Sequence, residues 1–362
     1  MRAVVVERPG TYDVRDVDPP RPGPGEVTVE VRACGLCGTD VHIAHGEFPP
    51  SPYPLIPGHE FAGVVVERGS GVSEPELGAR VAVDPTLACG RCDACREGRS
   101  NLCAQWGAIG DTVAGGLAER VAVPAANCHP LPPGLGWGEA ALIEPLACAL
   151  WGARRARLRA GDTVVVLGGG TMGLLLAQVL RRHGASRVTV VEPRADRRAL
   201  ALEIGADMAV APGDEGSGST DGQSTDRPGP GVRASDHAEP QTGNPRAGSV
   251  GFALVADATG RPESIERGLG LVRRGGTFLQ FGVAPQGARV PLSPYAVYFN
   301  DLTIVGSMAI NGTFPAAVRL APTLALTPLL APAQGLEAYA HAIAGFGSGP
   351  KPKQQLWPGA SG

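Results

Sequence analysis

Four cysteines stand within one short stretch, Cys89-x2-Cys92-x2-Cys95-x7-Cys103. Thiolates spaced this closely can converge on a single tetrahedral Zn²⁺ at about 2.3 Å each, closing its coordination and stapling the loop between them. With no position left for a substrate, such an ion is structural. Two disulfides, or surface thiols unrelated to one another, are the plainer readings. An iron–sulfur cluster is a third, but the ferredoxin run has three residues before its last cysteine where this one has seven. All eight cysteines of the chain cluster rather than spread as a disulfide framework, which suits a reducing cytosol and sets the expectation of a cytoplasmic protein.

A second set of donors is scattered. Cys37 lies in GLCGTD, His59 and Glu60 in GHE, and Glu144 in EPL. Each sits beside glycine or proline, so each is expected at the end of a strand or in a turn. One thiolate, one imidazole and one carboxylate make a three-ligand Zn²⁺ site whose fourth position is open to water or substrate. A lone His-Glu pair is more often an ordinary surface or core pair. Cys34 and Cys37 also form a C-x-x-C, without the setting of a thioredoxin motif. The case for the open site rests on the company these residues keep.

That company includes TVVVLGGGTMG, in which Gly168, Gly170 and Gly173 fit G-x-G-x-x-G. The turn lies between a β-branched run, 163–167, and a leucine-rich helical stretch, 174–182. Glu192 follows the last glycine by 19 residues, at the end of the run 187–191. This is the setting a dinucleotide fingerprint requires. Gly168 permits the tight turn, Gly170 lets backbone approach a pyrophosphate, and Gly173 lets helix and sheet pack closely. The helix N-terminus offers free N–H groups to the phosphates. Glu192 can accept hydrogen bonds from both ribose hydroxyls and would repel a 2′-phosphate, favouring NAD; Arg194 and Arg197 leave NADP open. An ordinary βαβ turn without ligand is the bland alternative.

These residues need two kinds of scaffold. Residues 1 to about 148 carry short β-branched runs (3–6, 26–32, 63–67, 80–83, 118–123) broken by proline and glycine, the pattern of an irregular, mostly β domain. From about 151, strand and helix patterns alternate as in a parallel sheet, with strands expected at 163–167, 187–191, 208–211, 253–257 and 277–281. The stretch 212–250 is Gly, Ser, Asp, Pro and Thr with almost no apolar residues, and reads as a mobile surface insertion. It holds part of the excess of 52 glycines and 34 prolines. Past Pro315 the chain is again proline-rich, with helical character only at 336–346.

A chain of 362 residues has room for about two domains. Thirty-two basic residues against 35 acidic, net −3, argue against nucleic acid or an anionic membrane as partner. No uncharged apolar run reaches the roughly 18 residues of a membrane span. Residues 1–7 read as a first strand with no signal-peptide core behind it.

Together these motifs resemble the zinc-dependent medium-chain dehydrogenases, in particular their sorbitol, arabinitol and threonine dehydrogenase branch. The resemblance covers nearly the whole chain and is carried by 34–42 (CGLCGTDVH), 57–63 (PGHEFAG), the 89–103 lobe, 144–148 (EPLAC) and the 168–173 turn. It implies an α/β protein: a GroES-like, mostly-β catalytic domain over 1–148, a doubly wound parallel-sheet Rossmann domain over 149–289, and a return to the catalytic domain over 290–362. It implies one catalytic and one structural Zn²⁺, and NAD. Carried over by position, Cys37, His59 and one or both of Glu60 and Glu144 hold the catalytic ion, with Cys148 as runner-up. Thr39 and His42 match the proton relay. Met172, Glu192 and Arg197 match cofactor contacts, and Gly282, Val283, Ser307 and Met308 line the nicotinamide side. A homodimer or homotetramer is implied. Two departures stand out: 212–250 replaces a segment that normally holds a Rossmann helix, and 315–332 is less regular than the helix expected there.

The expected reaction is reversible oxidation of a secondary alcohol, with a small-molecule polyol of sorbitol, arabinitol or xylitol type as substrate. Tyr295, Tyr298 and Asn300 are candidate polar contacts to it. L-Threonine 3-dehydrogenase and oxidation of a cyclitol or other secondary metabolite are the rival enzymes. A zinc- and NAD-binding scaffold without turnover is the non-enzymatic rival.

Overall fold

Short β-branched runs build two six-stranded sheets, with two two-stranded ribbons beside them, Arg2–Arg8 with Thr11–Asp16 and Thr86–Leu87 with Gly107–Ala108. The computed structural model describes residues 1–215 and 251–359; the stretch expected as an insertion therefore lies, from 216 to 250, outside the described residues. In the first half, Glu26–Gly35 is the central antiparallel strand. It pairs along its length with Glu60–Arg68, at its start with Arg120–Pro124, and at its end with Gln355–Leu356. Arg80–Val83 and Cys128–Pro130 extend the sheet beyond Glu60–Arg68. Its apolar face (Val27, Val29, Val31, Val65, Val81, Val83) is buried with Phe61 and Tyr339. A buried valine of this kind contributes about 1.5–3 kcal/mol.

The second sheet is parallel. Its spatial order is Met208–Val210, Arg187–Val191, Thr163–Leu167, Phe252–Asp257, Val272–Gln280, Thr303–Gly306. Numbered along the chain this is 3-2-1-4-5-6, the doubly wound arrangement whose ligand crevice opens at the carboxyl ends where the order reverses. Here that point lies between Leu167 and Asp257, which are register partners. Val164, Val165 and Val166 are wholly buried, as strands covered on both faces require.

Three features differ from the expectation. The parallel sheet continues past residue 289: Thr303–Gly306 adds a sixth strand. It is short and mostly exposed, so it carries none of the continuous apolar signal of a covered strand. Glu144 lies on neither a strand end nor a turn but in the first turn of the helix Ile143–Ala156. Pro145 fits there because the first helical N–H groups have no partner to lose. That helix joins the two halves: its buried residues Ile143, Leu146 and Leu150 belong to a core that also holds Ala62 and Ala82 of the first sheet and Val164 and Val166 of the second. After the parallel sheet, Phe314–Leu320 forms a regular helix with Pro315 in its first turn, more order than the proline content suggested.

Candidate active site

The antiparallel pairing of Glu26–Gly35 with Glu60–Arg68 places Gly35 opposite Glu60. Cys37, two residues beyond the first strand, and His59, one before the second, are thereby brought side by side. Cys37 also caps the helix Gly38–His45. Its Sγ accepts from Thr39 N–H at 3.2 Å, and its own N–H donates to Asp40 Oδ2 at 2.9 Å, a reciprocal capping box. Two glycines clear the space. Gly58 has φ +99°, and a Cβ there would press on Cys34 Sγ at 2.7 Å and Leu117 N at 2.8 Å. A Cβ at Gly35 would collide with Glu60 and Lys353.

Cys37 Sγ lies 3.2 Å from His59 Nε2, and one ligand atom from each of Cys37, His59 and Glu60 falls within 4.8 Å of the others. Bonds of about 2.3 Å to sulfur and 2.0 Å to nitrogen at a tetrahedral angle span an edge of about 3.5 Å. The sulfur, nitrogen and oxygen donors therefore fit zinc, with a fourth position left over. Glu144 stands outside this close trio, near enough for the charges of His59, Glu60 and Lys353 to act on it. Burial pushes its carboxyl up to about 8, which His59 only partly offsets. It accepts from Cys148 Sγ at 3.5 Å; burial, with Glu144 beside it, drives the Cys148 thiol well above its ordinary range.

Two residues with no motif complete the surroundings. Asp111 Oδ1 is 3.0 Å from His59 Nδ1, and neither atom has another partner. The contact turns Nε2 toward Cys37. Burial opposes the imidazolium, but Asp111 and Cys37 outweigh it and hold the His59 pKa well above the usual value. A metal ion takes the place of such protons. Lys353, two residues before the closing strand Gln355–Leu356, is 2% exposed. It forms an ion pair with Glu60 and donates to Leu36 O at 2.8 Å. Burial disfavours its charge, and Glu60 more than restores it. Toward solvent, His42 Nδ1 meets Glu47 Oε2 at 2.7 Å with both side chains half-exposed or more.

The four-cysteine lobe is built locally. All eight cysteines are free, which removes the disulfide reading. One Sγ from each of Cys89, Cys92, Cys95 and Cys103 lies within 4.8 Å of the rest. Cys92 and Cys103 are 4.0 Å apart, close to the edge of about 3.8 Å of a zinc–thiolate tetrahedron. Backbone N–H groups of Cys92 and Gln105 point at Cys89 and Cys103 at 3.4 and 3.3 Å. Such donors stabilise thiolate, and those of Arg91 and Cys92 bring Cys89 down to about 6. Desolvation and the neighbouring sulfurs push Cys95 up to about 12, so without a metal the proton stays there.

At the parallel sheet, Gly168 has φ +104°, and a Cβ on Gly173 would strike Gly168 O. Gly170 caps the helix Thr171–Arg182 with no side chain covering its first N–H groups, which leaves them for an anion. Met172 lies half-buried in that turn. Glu192, buried at the end of its strand, accepts from Gly169 N at 2.8 Å and Arg194 N at 3.0 Å. Its carboxylate is thus fixed against the glycine turn. Arg197 reaches across to Gly347 O and Gly349 O. Gly282, Val283, Ser307 and Met308 follow the carboxyl ends of Val272–Gln280 and Thr303–Gly306. Tyr295 and Tyr298 are instead exposed at 64% and 84%, Tyr295 stacking on Phe299 at 5.3 Å. Asn300 is buried and donates to Ala296 O at 3.0 Å, a local cap of its helix.

Comparison with known proteins shows the family. Residues 23–133 match the alcohol dehydrogenase GroES-like domain, and residues 171–323 match the zinc-binding dehydrogenases. D-arabinitol dehydrogenase 1 of Uromyces fabae is 35% identical over 318 residues, covering 88% of this chain and 85% of the relative. The chain belongs to the zinc-dependent medium-chain alcohol dehydrogenase family. A D-altritol 5-dehydrogenase of Agrobacterium fabrum is 35% identical over 329 residues, covering 89% of this chain and 85% of the relative. Among solved structures, a zinc-binding dehydrogenase assignment from Sinorhizobium meliloti 1021, bound to NADP, superposes with a TM-score of 0.87 at 34% identity over 99% of both chains. No helix of the dehydrogenase's described residues is long and apolar enough to cross a membrane.

Proposed function

We propose that the chain oxidises a secondary alcohol of a polyol to the ketone, with NAD as hydride acceptor and Zn²⁺ at Cys37, His59 and a carboxylate. The observation that carries this reading is the thiolate–imidazole–carboxylate trio, opening on the same molecule as a dinucleotide turn backed by Glu192. Relatives named for D-arabinitol and D-altritol support the polyol class. Zinc in the open site supplies Lewis acidity toward the substrate hydroxyl, and NAD supplies the acceptor carbon. The chain's own groups do the rest. Cys37 and His59 hold the ion, and Glu60 and Glu144 compete for its third position. Asp111 keeps His59 in the tautomer that presents Nε2. Thr39 accepts the hydroxyl proton on Oγ as it passes its own hydroxyl proton onward, and the half-exposed His42, with Glu47 beside it, takes up the relayed proton and releases it to solvent. Cys89, Cys92, Cys95 and Cys103 hold the second, structural ion. Gly168, Gly170, Met172, Gly173, Glu192 and Arg197 bind the cofactor. The free cysteines fit a cytoplasmic protein.

Among the described residues, Thr303–Gly306 ends the parallel sheet with one edge unpaired and Ile304 exposed. We assign that edge to a second copy of the chain, since two such strands related by a two-fold axis continue the sheet and cover both edges. Light scattering on the wild type and on Ile304→Lys separates a dimer from a monomer.

NADH formation from D-arabinitol, sorbitol, xylitol, a cyclitol and L-threonine, with and without a strong chelator, tests the activity. Chelator-sensitive oxidation of a polyol is expected. Turnover of L-threonine alone moves the chain to the rival branch, and preference for NADP would overturn the reading of Glu192.

A further inference from the structure

Between Cys95 and Cys103 the lobe presents a short 3-10 turn, Ser100–Leu102, directly before the last cysteine. This turn faces a segment more than two hundred residues away. Ser100 donates through both N–H and Oγ to Asn311 Oδ1, each at 3.1 Å. Asn101, 4% exposed, donates through Nδ2 to Met308 O at 2.9 Å. The segment they hold leaves the carboxyl end of Thr303–Gly306, on the sheet edge that carries the Gly168 turn. Ligands of a doubly wound sheet bind along that edge. Its other end is tied inward: Ser307 N–H donates to Gln280 O at 3.1 Å, and Gln280 Nε2 donates to Asp257 Oδ2 at 3.1 Å at the point where the strand order reverses.

Between the two lobe contacts lies Ala309, with φ +47°. A residue with a Cβ holds that left-handed conformation only where its surroundings impose it. Here the imposing groups are Asn101 on one side and Ser100, through Asn311, on the other, with Ile310 buried between. A chain freed of them would relax toward φ below zero and move Met308.

We infer that the four-cysteine lobe is a positioning element of the cofactor site: through Ser100 and Asn101 it sets the path of residues 307–311 beside the bound dinucleotide. The four thiolates hold the turn Ser100–Leu102 in place, and the turn holds the segment. The inference rests on the proposed NAD site, and makes the lobe more than a staple on the fold.

Equilibrium NADH binding by fluorescence, with zinc content and Tm measured on the same samples, tests it. Asn311→Ala removes the shared acceptor and is expected to weaken NADH binding about tenfold, the effect of losing two ordinary hydrogen bonds, and to raise KM for NAD while leaving KM for the polyol in place. Asn311→Asp keeps an acceptor oxygen and is expected to stay within about twofold of wild type by the same reasoning. Ser100→Ala loses only one of the two donors and is expected to show about a threefold loss, which serves if Asn311→Ala does not fold. Unchanged NADH affinity in Asn311→Ala or Ser100→Ala, a change in Tm alone, or an equal loss in Asn311→Asp would overturn the inference. Wild-type protein that binds no NADH would overturn the proposed cofactor site beneath it.

Discussion

The two metal-donor clusters are made of similar atoms in opposite ways. The closed cluster takes all its donors from residues 89 to 103, and its thiolates are supported by backbone N–H groups of the same loop. The open cluster gathers Cys37, His59 and Glu60 by strand register, with Glu144 coming from a helix and Lys353 from the far end of the chain. Apart from the Thr39 N–H on Cys37 Sγ, it is surrounded by charged side chains: Asp111 against His59 and Lys353 against Glu60. A local cluster can form early and staple a loop. A gathered one exists only when the whole fold is in place, and its neighbours can tune the ion it holds. Local closure suits structure; remote assembly with a vacancy suits chemistry.

Substitutions can break this contrast, the largest effect first. Cys37→Ala is expected to lower turnover by on the order of a thousandfold, the scale lost when a stabiliser of the reacting oxygen is removed. Tm should fall only by the roughly 2–4 °C that a lost helix cap of about 1 kcal/mol accounts for, because the lobe is untouched; steady-state rates and a thermal scan check both. Lys353→Met leaves Glu60 as a buried carboxylate without its partner, which costs about 3–5 kcal/mol. Urea unfolding should show that loss, and adding Glu60→Gln should recover part of it. No counterpart exists in the lobe, whose cysteines have no buried ion pair to break. Asp111→Asn is expected to weaken zinc binding at the open cluster about 10- to 100-fold, the range for an outer partner of a ligating histidine. A competing chelator would then withdraw one ion easily and the other at the wild-type rate. Cys128→Ala sharpens the comparison from outside. Cys128 belongs to neither cluster, and burial keeps its thiol up at about 12. Its loss should cost about 1 kcal/mol of packing and leave zinc content and turnover unchanged.

The same contrast explains what the sequence could reveal. The closed cluster and the Gly168–Gly173 turn are legible because their residues are neighbours along the chain and spacing alone carries the geometry. Cys37 and His59 are legible only in combination, since nothing local says that Gly35 will lie opposite Glu60. Asp111 and Lys353 have no motif: one is an acid in a glycine-rich loop, the other a lysine in a proline-rich tail, and only the fold sets them against His59 and Glu60. The helix around Glu144 was hidden by Pro145, which reads as a breaker yet fits a first turn. The strand Thr303–Gly306 was hidden because an edge strand with exposed side chains lacks the apolar run of its covered neighbours. Tyr295, Tyr298 and Asn300 looked suited to a polyol by type, but their helix puts both tyrosines toward solvent and commits the asparagine to a cap.

The division of labour between the clusters is tested most directly by counting zinc per chain in wild type, Cys37→Ala and Cys92→Ala while following NADH formation from D-arabinitol in the same samples. The expected result is two ions in the wild type and one in each variant. Turnover should vanish with the Cys37 ion, and whatever Cys92→Ala remains folded should still turn over once NAD is raised to offset its weaker binding. A Cys37→Ala protein that keeps both its zinc complement and its turnover would contradict the assignment of chemistry to the open cluster.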